Sequence, residues 1–318
     1  MNDHEGRMRE RLHDAVSDVR PERGVDEIRA RLEDRRVAEP RHWFAGTAAA
    51  VAAIVLVTGG VAWINHHGKA PRIASSTTGH SAAVVAYYLG ATANGSRLFS
   101  EHHTVKNVRG SDLEAAVNET LSGLPDDPDY HTGFPRGTSA SVSQDGNGVE
   151  VDFDDSAVAD ARPTLGSTAR EAIQAVVWTV DDTVSRPVAV RFMIKGQPAS
   201  RLLGEPLDGS VREGSADSVL SPVSVTLPEG AQLSGGSVNV ITGHAAAFEG
   251  NVVWELRQGE QVVKSGFTTA NECCTLSPYA FELKAPPGNY TLVVHDTDPS
   301  GKGHHVTSDS KDIVILPR

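Results

Sequence analysis

The stretch "GNVVWELRQGEQVVKSGFTT", residues 250–269, alternates apolar and polar side chains on both sides of Gly259-Glu260. Period-two alternation marks strands with one buried face, and a glycine-bearing break between two such runs reads as a tight hairpin. The pattern extends in both directions, through "SPVSVTLPEG" (221–230), "GSVNVITGHA" (236–245), "YAFELKAPPGNYTLVVHDT" (279–297) and "TSDSKDIVIL" (307–316). Gly and Pro punctuate the runs. Pro286-Pro287-Gly288 makes a corner, after which Tyr290 and Leu292 share one face of the next strand. About seven short strands in ~95 residues predict an immunoglobulin-like β-sandwich over 220–317.

Upstream the periodicity is mixed. "AAVVAYYLG" (82–90) and "RLFSEHHTVK" (97–106) read as strands joined at Asn94-Gly95. A helix follows in "SDLEAAVNETLSG" (111–123). Ser111 is its N-cap, Glu114 completes a capping box, and Leu113, Ala116, Val117 and Leu121 form its buried face. Gly123 and Pro125 stop it. "LPDDPDYHTGFPRGT" (124–138) is a loop. "TSASVSQDGNGVEVDFDD" (138–155) is a hairpin whose Asp145-Gly146-Asn147-Gly148 turn supplies positive φ angles. A second helix, "TAREAIQAVVWTV" (168–180), and a strand, "RPVAVRFMIKG" (186–196), complete the order β-β-α-β-β-α-β. That order predicts an α+β domain over 81–215, with two helices on one face of a small sheet. "LGEPLDGSVREGSADS" (203–218) reads as loop.

Between Phe44 and Ile64 lie 21 residues without a charge, bracketed by Trp43 and Trp63. About 20 such residues cross a hydrocarbon core, and interfacial aromatics are expected at its ends, so 43–64 is read as one transmembrane helix. Arg29, Arg31, Arg35, Arg36 and Arg41 precede it, whereas only Lys69 and Arg72 follow closely. The positive-inside rule places the N-terminus in the cytoplasm and the C-terminal domains outside, at the cell membrane of a single-pass protein. Residues 1–42 carry Leu12, Val16 and Val19, then Val25, Ile28 and Leu32, at helical spacing, broken at Pro21 and Gly24. This cytoplasmic helical segment is either a solvated stub or a docking element for a cytoplasmic partner such as a sigma factor. Residues 65–80 are a small, polar linker. The formal net charge of −12 falls almost wholly after residue 41 and argues against nucleic acid as a partner.

The Tyr87-Tyr88 strand, Gly123-Leu124-Pro125, "FPRGT" (134–138), "VEVDF" (149–153), "AVVWTV" (175–180) and "VRFMIKG" (190–196) together resemble a GerMN domain of sporulation and spore germination. "SPVSVTLPEG", "GHAAAFEGNVVWEL", "SGFTTA" and "PPGNYTLVV" resemble the spore germination immunoglobulin-like domain that often follows it, here behind a signal anchor. The fold class expected is therefore a GerMN-type α+β domain plus an all-β immunoglobulin-like sandwich, preceded by a cytoplasmic helical stub and one transmembrane helix. The resemblance implies a bacterial cell-envelope protein acting in assembly or recognition, with no catalytic residues and with an envelope protein or cell-wall component as partner. An exposed sheet edge leaves self-association open. The alternative is a signal transducer coupling an extracytoplasmic sensor to a cytoplasmic regulator through residues 1–42.

The sequence contains no G-x-S-x-G elbow, H-E-x-x-H, P-loop or dinucleotide fingerprint, so no enzyme and no cofactor is expected. "DDPD" (126–129) and "VDFDD" (151–155) offer oxygen ligands for calcium but lack the alternating order of an EF-hand, and they read as solvated loops. Asp152 is expected to make a structural hydrogen bond. His66-His67, His102-His103 and His304-His305 lack a third ligand, and no metal site is expected.

Cys273 and Cys274 are the only cysteines and are adjacent. Outside the cytoplasm thiols tend to be oxidised, but no third cysteine exists to close an ordinary loop. A strained vicinal disulfide ring, two reduced thiols and an intermolecular pair all remain open. The ring is the reading adopted, capping the loop between "SGFTTA" and "YAFEL".

Overall fold

A computed structural model describes residues 79–146, 148–164, 166–297 and 306–318. The cytoplasmic segment, the apolar run Phe44–Ile64 and linker residues 65–78 lie outside the described residues. Among the described residues no helix is long and apolar enough to cross a membrane.

Strands β1 (His80–Thr92) and β2 (Gly95–Val108) form a long antiparallel hairpin, with the short β3 (Tyr130–His131) beside the end of β1. Helix α1 (Asp112–Ser122) follows β2. Next come β4 (Ala140–Gln144), β5 (Gly148–Phe153), α2 (Ala169–Val184), β6 (Ala189–Ile194) and β7 (Gln197–Pro198), whose strands make one sheet in the order β4-β5-β6-β7. β5 and β6 are parallel because α2 carries the chain back between them. β8 (Arg201–Leu202) and β9 (Glu205–Pro206) form a small ribbon, of which β9 falls within the segment read as loop and β8 just before it.

The expected single sheet is two sheets. Leu113, Val117 and Leu121 of α1, with Ile173, Val176 and Val177 of α2, pack against Val149, Val151, Phe153 and Phe192 on one face of the four-stranded sheet. The β1–β2 hairpin lies apart from that sheet, at the seam between the helices. Its Ala82 and Val84 pack on Ala116 of α1, while Tyr87 and Leu89 on the opposite face of β1 pack on Ala175 of α2. The edge of β1 therefore enters the groove between the helices. Midway along it the Tyr87 N–H donates to the hydroxyls of Thr120 (3.3 Å) and Thr179 (3.1 Å), which lie 2.7 Å from each other. A buried strand edge needs such acceptors. Threonines of the two facing helices supply them here.

Local chemistry also departs from expectation at the helix starts. The Ser111 hydroxyl accepts from the Glu114 N–H at 3.0 Å, but the Glu114 carboxylate turns away to the Val142 N–H of β4, so this capping box is half formed. The complete box is at α2, between Thr168 and Glu171. In the 138–155 hairpin neither Gly146 nor Gly148 has positive φ, and the turn is tied instead by the Gly148 N–H bonded to the Asp145 carboxylate at 2.8 Å.

The one-turn helix α3 (Ala216–Val219) leads into the sandwich. β10 (Val223–Val225), β12 (Asn239–Ala245) and β15 (Ser277–Leu283) make one sheet. β11 (Ala231–Ser234), β17 (Ser308–Leu316), β16 (Gly288–His295), β13 (Asn251–Gln258) and β14 (Gln261–Thr269) make the other, in that order. Their inner faces meet in a core that includes Val223, Ile241, Trp254, Leu256, Phe281, Leu292 and Ile313. The Trp254 ring stacks on Phe281 at 4.9 Å and lies over Gly266, where a Cβ would come within 2.5 Å of the indole.

Candidate functional site: the junction of the α+β domain and the sandwich

Alternation along β17 continues past the sandwich core. Ile313 and Ile315 are buried in that core, and the same face, two and four residues earlier, carries Lys311 and Asp309, both almost fully buried. There the sandwich wall ends and the face meets the loop after α1. Glu101 of β2 shapes that loop, accepting from the backbone N–H groups of Asp126 and Asp127 at 2.9 Å each. Held in this way, Asp127 is buried and receives the Lys311 ammonium. Its other oxygen accepts from the Asp129 N–H at 2.8 Å.

The Lys311 ammonium also donates to the Tyr130 phenol oxygen (2.7 Å), and the Tyr130 O–H donates to Asp309 (2.6 Å). The second Asp309 oxygen accepts from the Val225 N–H of β10 at 2.7 Å. Two carboxylates thus share one ammonium away from water. Burial pushes the Asp309 carboxyl up despite the nearby Lys311, and burial with the Asp309 charge pushes the Tyr130 phenol above the tyrosine range. Removing either partner would leave a buried charge alone, so the group links the two domains as a unit.

The network continues away from the junction. His103 of β2 places Nε2 2.9 Å from Glu101 and Nδ1 2.8 Å from Glu119 of α1. With a carboxylate at each nitrogen the imidazolium form is favoured. The bonds to Glu101 and Glu119 raise its pKa to about 10, against the opposing effect of burial. For Glu101, burial works against ionisation, but His103 and the two loop N–H groups hold its pKa below the usual range.

Beside the charged cluster a cleft of about 320 Å³ opens between the domains, walled by Tyr87, His102, Asp182, Ser224, His244 and Leu276. The Tyr87 O–H donates to Asp182 at its rim, at 2.9 Å.

Of the residues singled out in the sequence, only some reach this junction. Of "DDPD", Asp127 is buried in the ion pair rather than solvated, because the Glu101 carboxylate folds its backbone inward. Asp152 accepts from the Gly196 N–H at 3.0 and 2.9 Å, and Asp155 accepts from the Ala157 N–H at 2.9 Å. His102 is exposed, whereas its neighbour His103 is half-buried between the two glutamates. His66, His67, His304 and His305 lie outside the described residues. Among the described residues no three His, Cys, Asp or Glu side chains converge as metal ligands. The sulfurs of Cys273 and Cys274 are bonded to each other in an exposed loop. That loop is tied to the sandwich by the Cys274 N–H to the Ala247 carbonyl (3.2 Å) and to α3 by the Leu276 N–H to Asp217 (3.1 Å).

Sequence reasoning missed Lys311, Asp309 and Tyr130. The signal was present in "TSDSKDIVIL": counting back by twos from Ile315 puts a lysine and an aspartate on the core-facing side of a strand.

An α+β domain joined by a buried ion pair to an immunoglobulin-like sandwich defines a tandem of two modules. Residues 85–200 match the family described as sporulation and spore germination (Germane), and residues 222–302 match the immunoglobulin-like domain of bacterial spore germination (Gmad2). The chain therefore carries a GerMN domain followed by the spore germination immunoglobulin-like domain. Among solved structures it is similar to the tandem GerMN domains of the sporulation protein GerM from Bacillus subtilis. That match has 14% identity and TM-score 0.32, and it covers 64% of this chain and 62% of that one, less than two thirds of its length. It is also similar to fibronectin(III)-like modules of CbhA from Clostridium thermocellum, at 24% identity and TM-score 0.22, over 30% of this chain and 96% of that one. No curated protein matches the chain.

Proposed function

We propose that this chain is a membrane-anchored, extracytoplasmic, non-catalytic binding or assembly module of the bacterial cell envelope, acting in spore-related or general envelope processes. In this reading the apolar run Phe44–Ile64 is the anchor, and residues 1–42 face the cytoplasm. The observation that carries it is the use made of charge at the junction. Lys311, Asp127, Asp309 and Tyr130 bond to one another and stitch the two domains together. Groups spent on rigidity in this way present a fixed double surface to a partner, and pre-organisation of that kind favours binding. The partner class is an envelope protein or a cell-wall fragment.

Crosslinking in intact cells, followed by mass spectrometry of what is attached to residues 79–318, tests the reading. Recovery of a specific envelope protein or wall fragment is expected. Attachment only to cytoplasmic proteins would overturn the topology and the function together.

A further inference from the structure

β14 ends the five-stranded sheet, and among the described residues no strand pairs with its outer edge. β15 of the other sheet and Lys284 just after it meet β14 only through side chains, the Thr268 hydroxyl donating to the Ala280 carbonyl at 2.7 Å and the Lys264 ammonium to the Lys284 carbonyl at 2.8 Å. Hydrogen bonding to β13 fixes which of its backbone groups are free. The Ala270 N–H donates to the Gly250 carbonyl at 2.8 Å, so 250 and 270 form a hydrogen-bonded pair across the two strands. In an antiparallel ladder such pairs alternate with pairs whose backbone groups point away from the partner. With Asn251 opposite Thr269, Val253 opposite Phe267 and Glu255 opposite Ser265, the outward set is Ser265, Phe267 and Thr269. Beyond Ser265 the run is broken by the register shift between Leu256 and Arg257, which leaves Val263 as a bulge.

The free array is therefore short and symmetric about Phe267. Phe267 itself is 76% exposed on the outer face, beside half-buried Val253. Natural edges are usually blunted by charge, proline or a bulge. Here the bulge blunts one end only and leaves the part centred on an exposed aromatic ring.

We infer that the β14 edge pairs with the same edge of a second copy of this chain, antiparallel, about a two-fold axis at Phe267. In that register Phe267 faces Phe267 of the partner copy, and Ser265 faces Thr269 and the reverse. Every outward N–H and C=O of the array then meets its complement. A two-fold centred on Ser265 or Gly266 would call on bulged Val263 and lose part of the ladder. Lys264 is the only charged residue of β14, and in the Phe267 register it lies opposite Ala270 rather than another lysine. The two rings form a cross-strand aromatic pair, the kind of contact that stabilises a sheet pairing. An isologous contact of this type closes as a dimer and does not propagate.

The inference rests on the assembly half of the proposed function, but it fails separately: loss of the dimer would leave capture of an envelope partner untouched. The test uses the full chain in mild detergent micelles. Replacing Phe267 by photoreactive p-benzoylphenylalanine and irradiating a mixture of heavy- and light-isotope chains should give mixed-isotope crosslinks within residues 265–269 of the second copy. Phe267→Lys, at an exposed position, should keep the fold by circular dichroism and weaken dimerisation in sedimentation by roughly tenfold or more. Because the anchor is unchanged, the difference reports the sandwich edge alone. A chain that sediments identically with and without Phe267→Lys would overturn the inference. So would crosslinks that fall outside β14 or on a different protein.

Discussion

Lys311 and Asp127 form a buried ion pair across the domain junction, one from the last strand of the sandwich and the other from the loop after α1. Neither domain alone contains both charges. Lys311→Met should leave Asp127 and Asp309 facing each other without a cation and cost about 3–5 kcal/mol. Urea unfolding of residues 73–318 would measure it. The double change Lys311→Met with Asp127→Leu should recover part of that loss, since only one buried carboxylate, Asp309, then lacks its cation, and it keeps the Tyr130 O–H and the Val225 N–H. No recovery would mean that the pair does more than neutralise charge.

His103 makes the fold sensitive to pH in a defined direction. Its pKa in the folded protein is raised to about 10, well above the ordinary ~6.5. The stability it adds is whole below about pH 6.5 and is lost as pH rises through about 10. The unfolding free energy should therefore fall between pH 7 and 10 by on the order of 2 kcal/mol, screening included. His103→Gln should flatten that limb. An NMR titration should find the imidazole still protonated at pH 8.

The seam where β1 enters between the helices predicts non-additive mutations. Thr120→Val or Thr179→Val alone leaves the Tyr87 N–H one acceptor and should cost about 1 kcal/mol. The double variant strands a buried donor and should cost roughly 3 kcal/mol, more than the sum. Thermal unfolding of all three variants closes the cycle. Simple additivity would show that water reaches the seam.

For Cys273 and Cys274, alkylation before and after reduction decides the thiol state. The bonded pair should add no label without reductant and two labels after it. Two labels on the untreated protein would remove the ring. With the ring open, faster amide exchange is expected at Leu276, whose N–H holds Asp217 of the connector.

Much of the architecture was written in local pattern. Alternating strands, the Gly259-Glu260 hairpin and the helix beginning at Ser111 all depend on neighbours within a few residues. The site was less legible because its members lie far apart in the chain. Asp127 meets Lys311, and Glu119 meets His103, only after helices and sheets have packed. Glu114 shows the same limit on a small scale. Its spacing fits a capping box, yet tertiary structure offered its carboxylate the Val142 N–H instead. The division of the first domain into two sheets was hidden for a similar reason, since strand periodicity says nothing about which strands become neighbours.

The position of β17 in the chain has a consequence for biogenesis. Among the described residues it is the last strand of the sandwich, it supplies both Lys311 and Asp309, and it pairs with β16 and β11. During synthesis Asp127 emerges 184 residues before Lys311, so its counter-charge is made only after the α+β domain is complete. The junction can close only when β17 has been made, so a chain that stops before Lys311 lacks this fastening. Firm docking of the two domains is thereby tied to the synthesis of one strand, residues 308–316.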